Sequence, residues 1–440
     1  MMSLVEQHKN QLQQIFFAGI AAVQPSLLIR KWIQINKGEI KIGTQSFKQG
    51  LSFNKIFIIG AGKASASMAA ELEMILGDMI EDGLVITKYN HAVATSKVKI
   101  VEASHPIPDQ QSVVGTDTMM KLLNKVRNDD LIICLWSGGA SALMTDIPED
   151  ITIDDLISIN DLLLHSGANI NELNTVRKHL SILKGGQLIR FCNQANIISL
   201  LISDVPSDNI SVIASGPTAP DDSTFLDAKN IIDALNDAPQ NIVQRIEKGL
   251  NGEIAETLDL SDPVFNKVKN WIIGNNKMAL DAAMQKAVDL GYAVEMIPEM
   301  ITGDTDAEAI RFVDRVMKKN GDKKICLIQG GETTIKIFGN GKGGRNQHFA
   351  LKVLQELMYQ YKDQLHLPHI SILAAGTDGT DGPTDAAGAL VHLDKNSSVE
   401  EMEQYLNRQD SYSFHEKYGN LFLTGPTQTN VMDVMIALIN

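Results

Sequence analysis

The chain has 440 residues, which allows two or three domains, and its 44% apolar content is that of an ordinary globular protein. Aromatic residues make up only 5%, so the cores must be mainly aliphatic. Lys and Arg number 39 against 53 Asp and Glu, a net charge of −14; that balance disfavours nonspecific nucleic-acid or anionic-membrane binding but leaves room for a locally basic cleft and a small anionic substrate.

Residues 4–33 read as helical and packed on the body. Their apolar run, Phe16–Val23, is too short to cross a bilayer, and Gln, His and Glu precede it instead of a basic leader. A cytoplasmic location is therefore expected. Cys134, Cys192 and Cys326 lie in or beside apolar runs with no C-x-x-C spacing, and buried free thiols are expected.

Strand-like runs follow at Ile56–Ile59, Leu84–Thr87, Leu131–Trp136, Ile197–Ile202, Trp271–Ile273, Ala293–Ile297, Ile325–Ile328, Ile370–Ala374 and Leu421–Leu423. Helical periodicity lies between many of them, as at Ser65–Leu76 and Met278–Leu290. The alternation predicts an α/β protein with largely parallel sheets. A short extra strand is expected at Ile335–Phe338. The least patterned stretch, 236–264, predicts an N-terminal domain over 4–262 and a C-terminal one over 263–440.

Most expected strands end in glycine loops, where ligands of open α/β sheets bind. Gly60-Ala61-Gly62-Lys63-Ala64 opens a helix, so its amides, the helix dipole and Lys63 could hold an anion. It is no dinucleotide fingerprint, because Ser65 stands where the third glycine belongs, and no Walker A loop. A tight turn with a solvated lysine is the plainer alternative. Ser137-Gly138-Gly139-Ala140-Ser141 repeats the construction with hydroxyls. Asn174, Arg177, Ser181 and Lys184, spaced 3, 4 and 3, would share one helix face that could grip a carboxylate or phosphate, or would simply be solvated. His179 falls on neither helix stripe. Asp204 follows a strand and could hold Mg²⁺ or accept a proton. Gly343-Gly344-Arg345-Asn346-Gln347 puts an arginine at a helix N-terminus, a combination that favours phosphate. Gly376-Thr377-Asp378-Gly379-Thr380-Asp381-Gly382 ends another strand with carboxylates and little bulk. His366 and His369 flank Leu367-Pro368 and read as surface loop. Cations and Mg²⁺-competent carboxylates around glycine loops suit phosphoryl transfer, which needs charge neutralisation and positioning more than covalent chemistry.

Taken in order, Gly60–Ala64, Ser137–Gly139, 174–186, 203–217, Gly343–Gln347 and 375–388 resemble the class II glycerate 2-kinases, proteins with a MOFRL C-terminal region that are often labelled hydroxypyruvate reductases. The resemblance runs from the N-terminal helix to Thr424–Asn430. It implies two α/β domains facing a deep cleft, the N-terminal one Rossmann-like, and ATP- and Mg²⁺-dependent phosphorylation of D-glycerate at the 2-hydroxyl. No nucleic-acid or membrane partner is implied, and a homodimer is a possible assembly. Carried over by motif, Lys63, Asp204, Arg345 and Asp378 would be catalytic, with Asp204 and Asp378 available to the metal. Gly60, Gly62, Ser137, Gly138, Gly139, Arg177, Lys184, Gly344 and Asn346 would contact substrate or phosphate. The chain departs from the family pattern at His348, where glutamate is usual, and at Gln428 and Met432. An NAD(P)H-dependent hydroxypyruvate reductase and a non-catalytic anion-binding protein are the alternatives.

Overall fold

The computed structural model describes residues 3–36, 38–319, 324–336, 338–361, 368–394 and 398–440. The chain forms two compact units, one of residues 25–273 and one that joins 1–24 to 274–440. This corrects the expected division at 262. The Trp271 run does not open a second sheet; it becomes the last strand of the first.

In the 25–273 unit, three short antiparallel strands, β1 (Ile33–Asn36), β2 (Glu39–Ile42) and β3 (Gln45–Lys48), form a small meander. The main sheet contains β4 (Ile56–Ala61), β5 (Ile80–Lys88), β6 (Val98–Ala103), β7 (Leu131–Trp136), β8 (Asn196–Ile202) and β9 (Val268–Gly274). Its order is β6-β5-β4-β7-β8-β9. Counted within the sheet this is 3-2-1-4-5-6, the doubly wound Rossmann order. The pairs β5–β6, β4–β5, β4–β7 and β7–β8 are parallel. β4 and β7 are wholly buried, as continuous apolar runs covered on both faces should be. The strand order reverses between β4 and β7, and the Gly60 and Ser137 loops leave their carboxyl ends. The helices Ile153–Ser166, Ile170–His179, Phe225–Asp233 and Gln240–Leu250 share a separate apolar core around Leu163, Val176, Phe225 and Ile246.

The other unit has a sheet of β10 (Ala293–Met296), β11 (Ile301–Asp304), β12 (Ile325–Thr334), β13 (Ile370–Gly376), β14 (Gly388–His392), β15 (Leu421–Phe422) and β16 (Asp433–Ile439). The order is β10-β12-β16-β13-β14-β15, with β11 also on β12. β10 and β11 run parallel to β12, whereas β16, β13, β14 and β15 pair antiparallel. The sheet is therefore mixed, not largely parallel: the C-terminal strand inserts between β12 and β13 and runs against both. Leu327, Ile372 and Met435 face the helices Thr305–Met317 and Arg345–Tyr361. Ile328, Leu373 and Ile436 face Leu12, Ile15 and Phe16 of the helix Leu4–Ala22. Successive residues thus serve opposite faces, as a two-residue period requires.

The N-terminal stretch 4–32 is apolar and long enough to count as a candidate span. The structure breaks it before Pro25 into two helices and buries the inner face of the first. Gly19 lets that helix lie close to the helix Asn276–Asp289; a Cβ there would sit 2.9 Å from the Ala279 carbonyl oxygen. Ile335, Lys336 and Phe338 form no strand, and Ile337 lies outside the described residues. The three cysteines are buried and free, as expected.

Candidate active-site residues

In the 25–273 unit the carboxyl edge of the parallel sheet gathers Gly60, Gly62, Lys63, Ser137, Gly138, Gly139 and Asp204. The Gly60 and Ser137 loops are sewn together. Lys63 N–H donates to Gly138 O at 2.9 Å, Ser137 N–H to Ala61 O at 3.1 Å, and Ala64 N–H to Ser137 Oγ at 3.0 Å. Gly62 N–H donates to Ile86 O at 3.0 Å and Ser65 N–H to Gly62 O at 3.1 Å. So close an approach leaves no room for side chains: a Cβ on Gly60 would meet Leu135 O at 2.3 Å, and one on Gly62, at φ +131°, would meet Ser137 Oγ at 2.2 Å.

This changes what the first loop can do. The amides of residues 62–65, expected to cradle an anion, already have acceptors within the protein. Gly60 and Gly62 serve loop packing, and the loop presents half-buried Lys63 beside it. The second loop differs. Neither the Gly138 nor the Gly139 amide donates a hydrogen bond among the described residues. Gly139 takes up φ +84° and opens the short helix Ala140–Leu143. Two unspent, adjacent N–H groups make a nest for an anion.

The residues 174–184 do not form one helix. The helix ends at His179. Ser181 Oγ then accepts from the amides of Leu183 and Lys184, each at 3.0 Å, and Asp146 Oδ2 takes Ile182 N–H at 2.6 Å. Gly185 and Gly186 complete the turn at positive φ. Local side-chain acceptors outcompete the helix here. Arg177 and Lys184 nevertheless stay close enough to repel one another. Burial, with Arg177 adding to it, lowers the Lys184 pKa against the pull of Asp146, whose Oδ1 lies 4.0 Å away. Burial lowers the Arg177 pKa too, and its Nε donates to Asn160 Oδ1 at 2.6 Å. Among the described residues Arg177 has no carboxylate within ion-pair distance, so this corner carries excess positive charge. His179 is a packing residue: its ring meets Phe225 edge-on and Nδ1 bonds Thr175 O at 2.8 Å.

In the other unit, the carboxyl end of β13 and the start of β16 bring together Asp378, Arg345 and Asp433. Asp433 pairs with Gly376 on one side and Gly331 on the other. Its carboxylate, fully buried, accepts from Arg345 Nε at 2.6 Å and Nη2 at 2.9 Å, while Glu332 Oε1 lies 2.8 Å from Nη1. Burial alone would lower the Arg345 pKa; Asp433 and Glu332 outweigh it and raise it well above the usual value. The arginine is thus oriented by two carboxylates. Asp378 is buried at the strand end, and its Oδ1 takes Thr380 N–H at 3.0 Å.

The start of the helix Arg345–Tyr361 also holds something other than expected. Asp381 Oδ1 accepts from Asn346 N–H at 3.1 Å and Oδ2 from Gln347 N–H at 2.8 Å. A protein carboxylate occupies the helix N-terminus assigned to phosphate, so Asn346 and Gly344 are packing positions; a Cβ on Gly344 would stand 2.3 Å from Asp381 Cγ. Burial pushes the Asp381 pKa up to about 6 against the opposing pull of Arg345. His348, one turn further on, is buried with Nε2 2.8 Å from Asp306 Oδ1. His369 is exposed; His366 lies outside the described residues. Sequence reasoning missed Asp433, Glu332, Asp381 and Asp146. Asp381 stood in the quoted motif, and Glu332 follows the Gly330-Gly331 pair, but nothing local marks Asp433 or Asp146 as partners of distant cations.

A doubly wound sheet with a lysine and an open amide pair at its switch point is a construction for holding phosphorylated small molecules. Residues 11–248 match a domain of unknown function, DUF4147, and residues 325–433 match the MOFRL family. The chain belongs to the glycerate 2-kinase family that pairs these two regions. It is 37% identical to a Pyrococcus horikoshii protein named glycerate 2-kinase, over 96% of this chain and 95% of that protein. It is 34% identical to an Agrobacterium vitis protein whose name is that of a hydroxypyruvate reductase, over 98% of this chain and 94% of the other. The crystal structure of Thermotoga maritima glycerate kinase superposes with a TM-score of 0.80 at 33% identity, covering 99% of this chain and 100% of that one.

Proposed function

We propose that this protein transfers the γ-phosphoryl group of ATP to the 2-hydroxyl of D-glycerate, giving 2-phosphoglycerate. The observation that carries the proposal is the arrangement at the switch point: Lys63 and the open Gly138–Gly139 amides at the ends of adjacent parallel strands, with Asp204 just beyond the next one. In this reading Lys63 and the two amides take phosphate oxygens and offset the charge that builds up on the transferring group. Ser137 holds the two loops in register, and Arg177 and Lys184 supply positive potential for the glycerate carboxylate. Asp204 accepts the proton of the 2-hydroxyl. In the other unit, Arg345, held by Asp433 and Glu332, keeps its remaining N–H groups for an anionic ligand, and Asp378 stands at the neighbouring strand end.

Asp204, beyond the end of β8 in one unit, and Asp378, beyond the end of β13 in the other, each offer hard carboxylate oxygens of the kind Mg²⁺ takes, and the ion when bound would neutralise phosphate charge. No group of three or more His, Cys, Asp or Glu suited to a metal occurs among the described residues. That is compatible with an ion held by one or two carboxylates and by the nucleotide itself. A reductase is the weaker reading, because the amides at 62–65 that a dinucleotide pyrophosphate would need are bonded within the protein. Cytoplasmic residence and homodimerisation remain part of the proposal.

The test is ATP consumption with Mg²⁺ and D-glycerate, followed by identification of the phosphoglycerate isomer. Formation of 2-phosphoglycerate supports the proposal. Oxidation of NADH by hydroxypyruvate without ATP would overturn it.

A further inference from the structure

We propose that the cavity beside the helix Ile170–His179 binds a vicinal diol, the ribose of the nucleotide that donates the phosphoryl group. This rests on the kinase reading and adds a donor subsite to it. The cavity, of about 450 Å³, is lined by Asn171, Asn174, Lys178, Asn209, Asp221 and Asp222 among others. Asn174 and Lys178 stand four residues apart and so share a helix face.

Both are nearly sealed from solvent, and both have donors to spare. Asn174 is 3% exposed; its Oδ1 accepts from Ser215 Oγ at 3.0 Å, but its Nδ2 has no partner. Lys178, 5% exposed, spends one of its three ammonium protons on Asp221 Oδ1 at 2.9 Å, and no second acceptor is found among the described residues. Unspent buried donors and an enclosed ion pair are costly unless something completes their hydrogen bonding.

The chemistry of the wall selects the ligand. Lys178 is matched by Asp221, and Asp222 adds a further negative charge. An anion would find donors there but also two carboxylates. A hydroxyl both accepts and donates, so each hydroxyl of a diol can take an N–H from Asn174 or Lys178 and give its proton to a carboxylate oxygen. The volume lies in the range of small-molecule pockets and exceeds what a three-carbon acid fills. That favours ribose over the diol of glycerate. Ser141 Oγ lies 2.8 Å from Ser215 Oγ, which in turn bonds Asn174. A hydrogen-bond chain therefore runs from the loop bearing the open Gly138–Gly139 amides to the cavity wall, as a subsite for the sugar behind bound phosphates requires.

The experiment compares ATP with 2′,3′-dideoxy-ATP as donors, in the full chain and in Asn174→Ala, together with calorimetric binding of adenosine and 2′,3′-dideoxyadenosine. The dideoxy donor should show a KM raised roughly tenfold or more with a smaller change in kcat. Asn174→Ala should raise the KM for ATP and shrink that discrimination. Equal KM values for the two donors in the unmodified protein would overturn the proposal, and that comparison stands even if the variant fails to fold. Equal donors with a raised D-glycerate KM in Asn174→Ala would also overturn it, and would assign the cavity to the acceptor's diol. If no donor supports turnover, the kinase reading fails by itself. The calorimetry then decides the subsite: a preference for adenosine sustains it, and equal binding refutes it.

Discussion

Replacing Asp433 by Asn tests whether the Arg345 guanidinium is held as the structure describes. Asp433 is fully buried and accepts two of the arginine's N–H groups at 2.6 and 2.9 Å. Asparagine keeps the shape but offers one acceptor and turns an NH₂ group toward the cation. Removing one partner of a buried ion pair costs about 3–5 kcal/mol. Here Arg345 is 31% exposed and keeps Glu332, so water and the second carboxylate offset part of that. About 2–3 kcal/mol should be lost, which at two to four degrees per kcal/mol lowers Tm by roughly 5–10 °C. Differential scanning calorimetry reads this directly. Activity should suffer as well, because a guanidinium anchored only through Glu332 no longer points one way: a loss of about 3 kcal/mol of transition-state stabilisation is roughly a hundredfold in kcat. Arg345→Lys keeps the charge and discards the fork, so it should lose activity out of proportion to stability. An Asp433→Asn protein with Tm within about a degree and kcat within about twofold of the parent would refute the reasoning.

Lys63→Ala should lower kcat by about 10²–10³-fold while leaving a cooperative thermal transition, measured by steady-state kinetics beside circular dichroism. Gly62→Ala forces a Cβ to within 2.2 Å of Ser137 Oγ at φ +131° and should cost more than about 3 kcal/mol in urea unfolding. For Asp381 the folded pKa is raised from 3.8 to about 6, so between those values the folded state holds a proton the unfolded state has released, and stability falls as pH rises through the window. Asp381→Asn should abolish that dependence, shifting the stability difference toward the variant by at most about 3 kcal/mol from pH 4 to 7, as read from urea midpoints at each pH. Chelating Mg²⁺ should stop turnover without lowering Tm, since no protein-only metal cluster occurs among the described residues to be lost.

Each of the nine apolar runs read as strands becomes one, because a short, mainly apolar run bounded by polar or turn residues is too brief for a helix and fits a strand of an α/β sheet. What escaped were strands lacking that signature. β6, Val-Lys-Ile-Val-Glu-Ala, is an edge strand with charges facing out, and β1 to β3 are four-residue pieces, mostly exposed. β16 was missed for the opposite reason. Its run Val434–Ile439 can be read as helix or strand, yet it is the strand that joins β12 to β13, antiparallel to both. The domain division failed because the loop composition around 236–264 marks a helical excursion between β8 and β9, not a boundary. The site residues lay within short motifs and were legible as candidates. Their partners were not: Asp433 stands 88 positions from Arg345, and Asp146 stands 38 from Lys184.

Three glycine-bounded helix starts look alike in sequence and are chemically different in the fold. At Gly60–Ala64 the amides are spent on Ile86, Gly138 and Ser137, and at Gly344–Gln347 they are spent on Asp381. Of these three, only the Ser137–Gly139 start keeps adjacent amides, those of Gly138 and Gly139, without an acceptor among the described residues. A glycine pair therefore signals close backbone approach, and whether what approaches is a ligand or another loop depends on tertiary structure. Two of the three approaches are internal, and each leaves a cation beside it: Lys63 next to the first loop and Arg345 at the head of the second helix. In each unit a closed loop thus fixes the backbone next to its cation, and in the 25–273 unit the Gly138–Gly139 amides stand at the neighbouring strand end. A substitution that loosens a closed loop should then act on kcat through the neighbouring cation, whereas one that blocks the Gly138–Gly139 amides should act first on nucleotide KM.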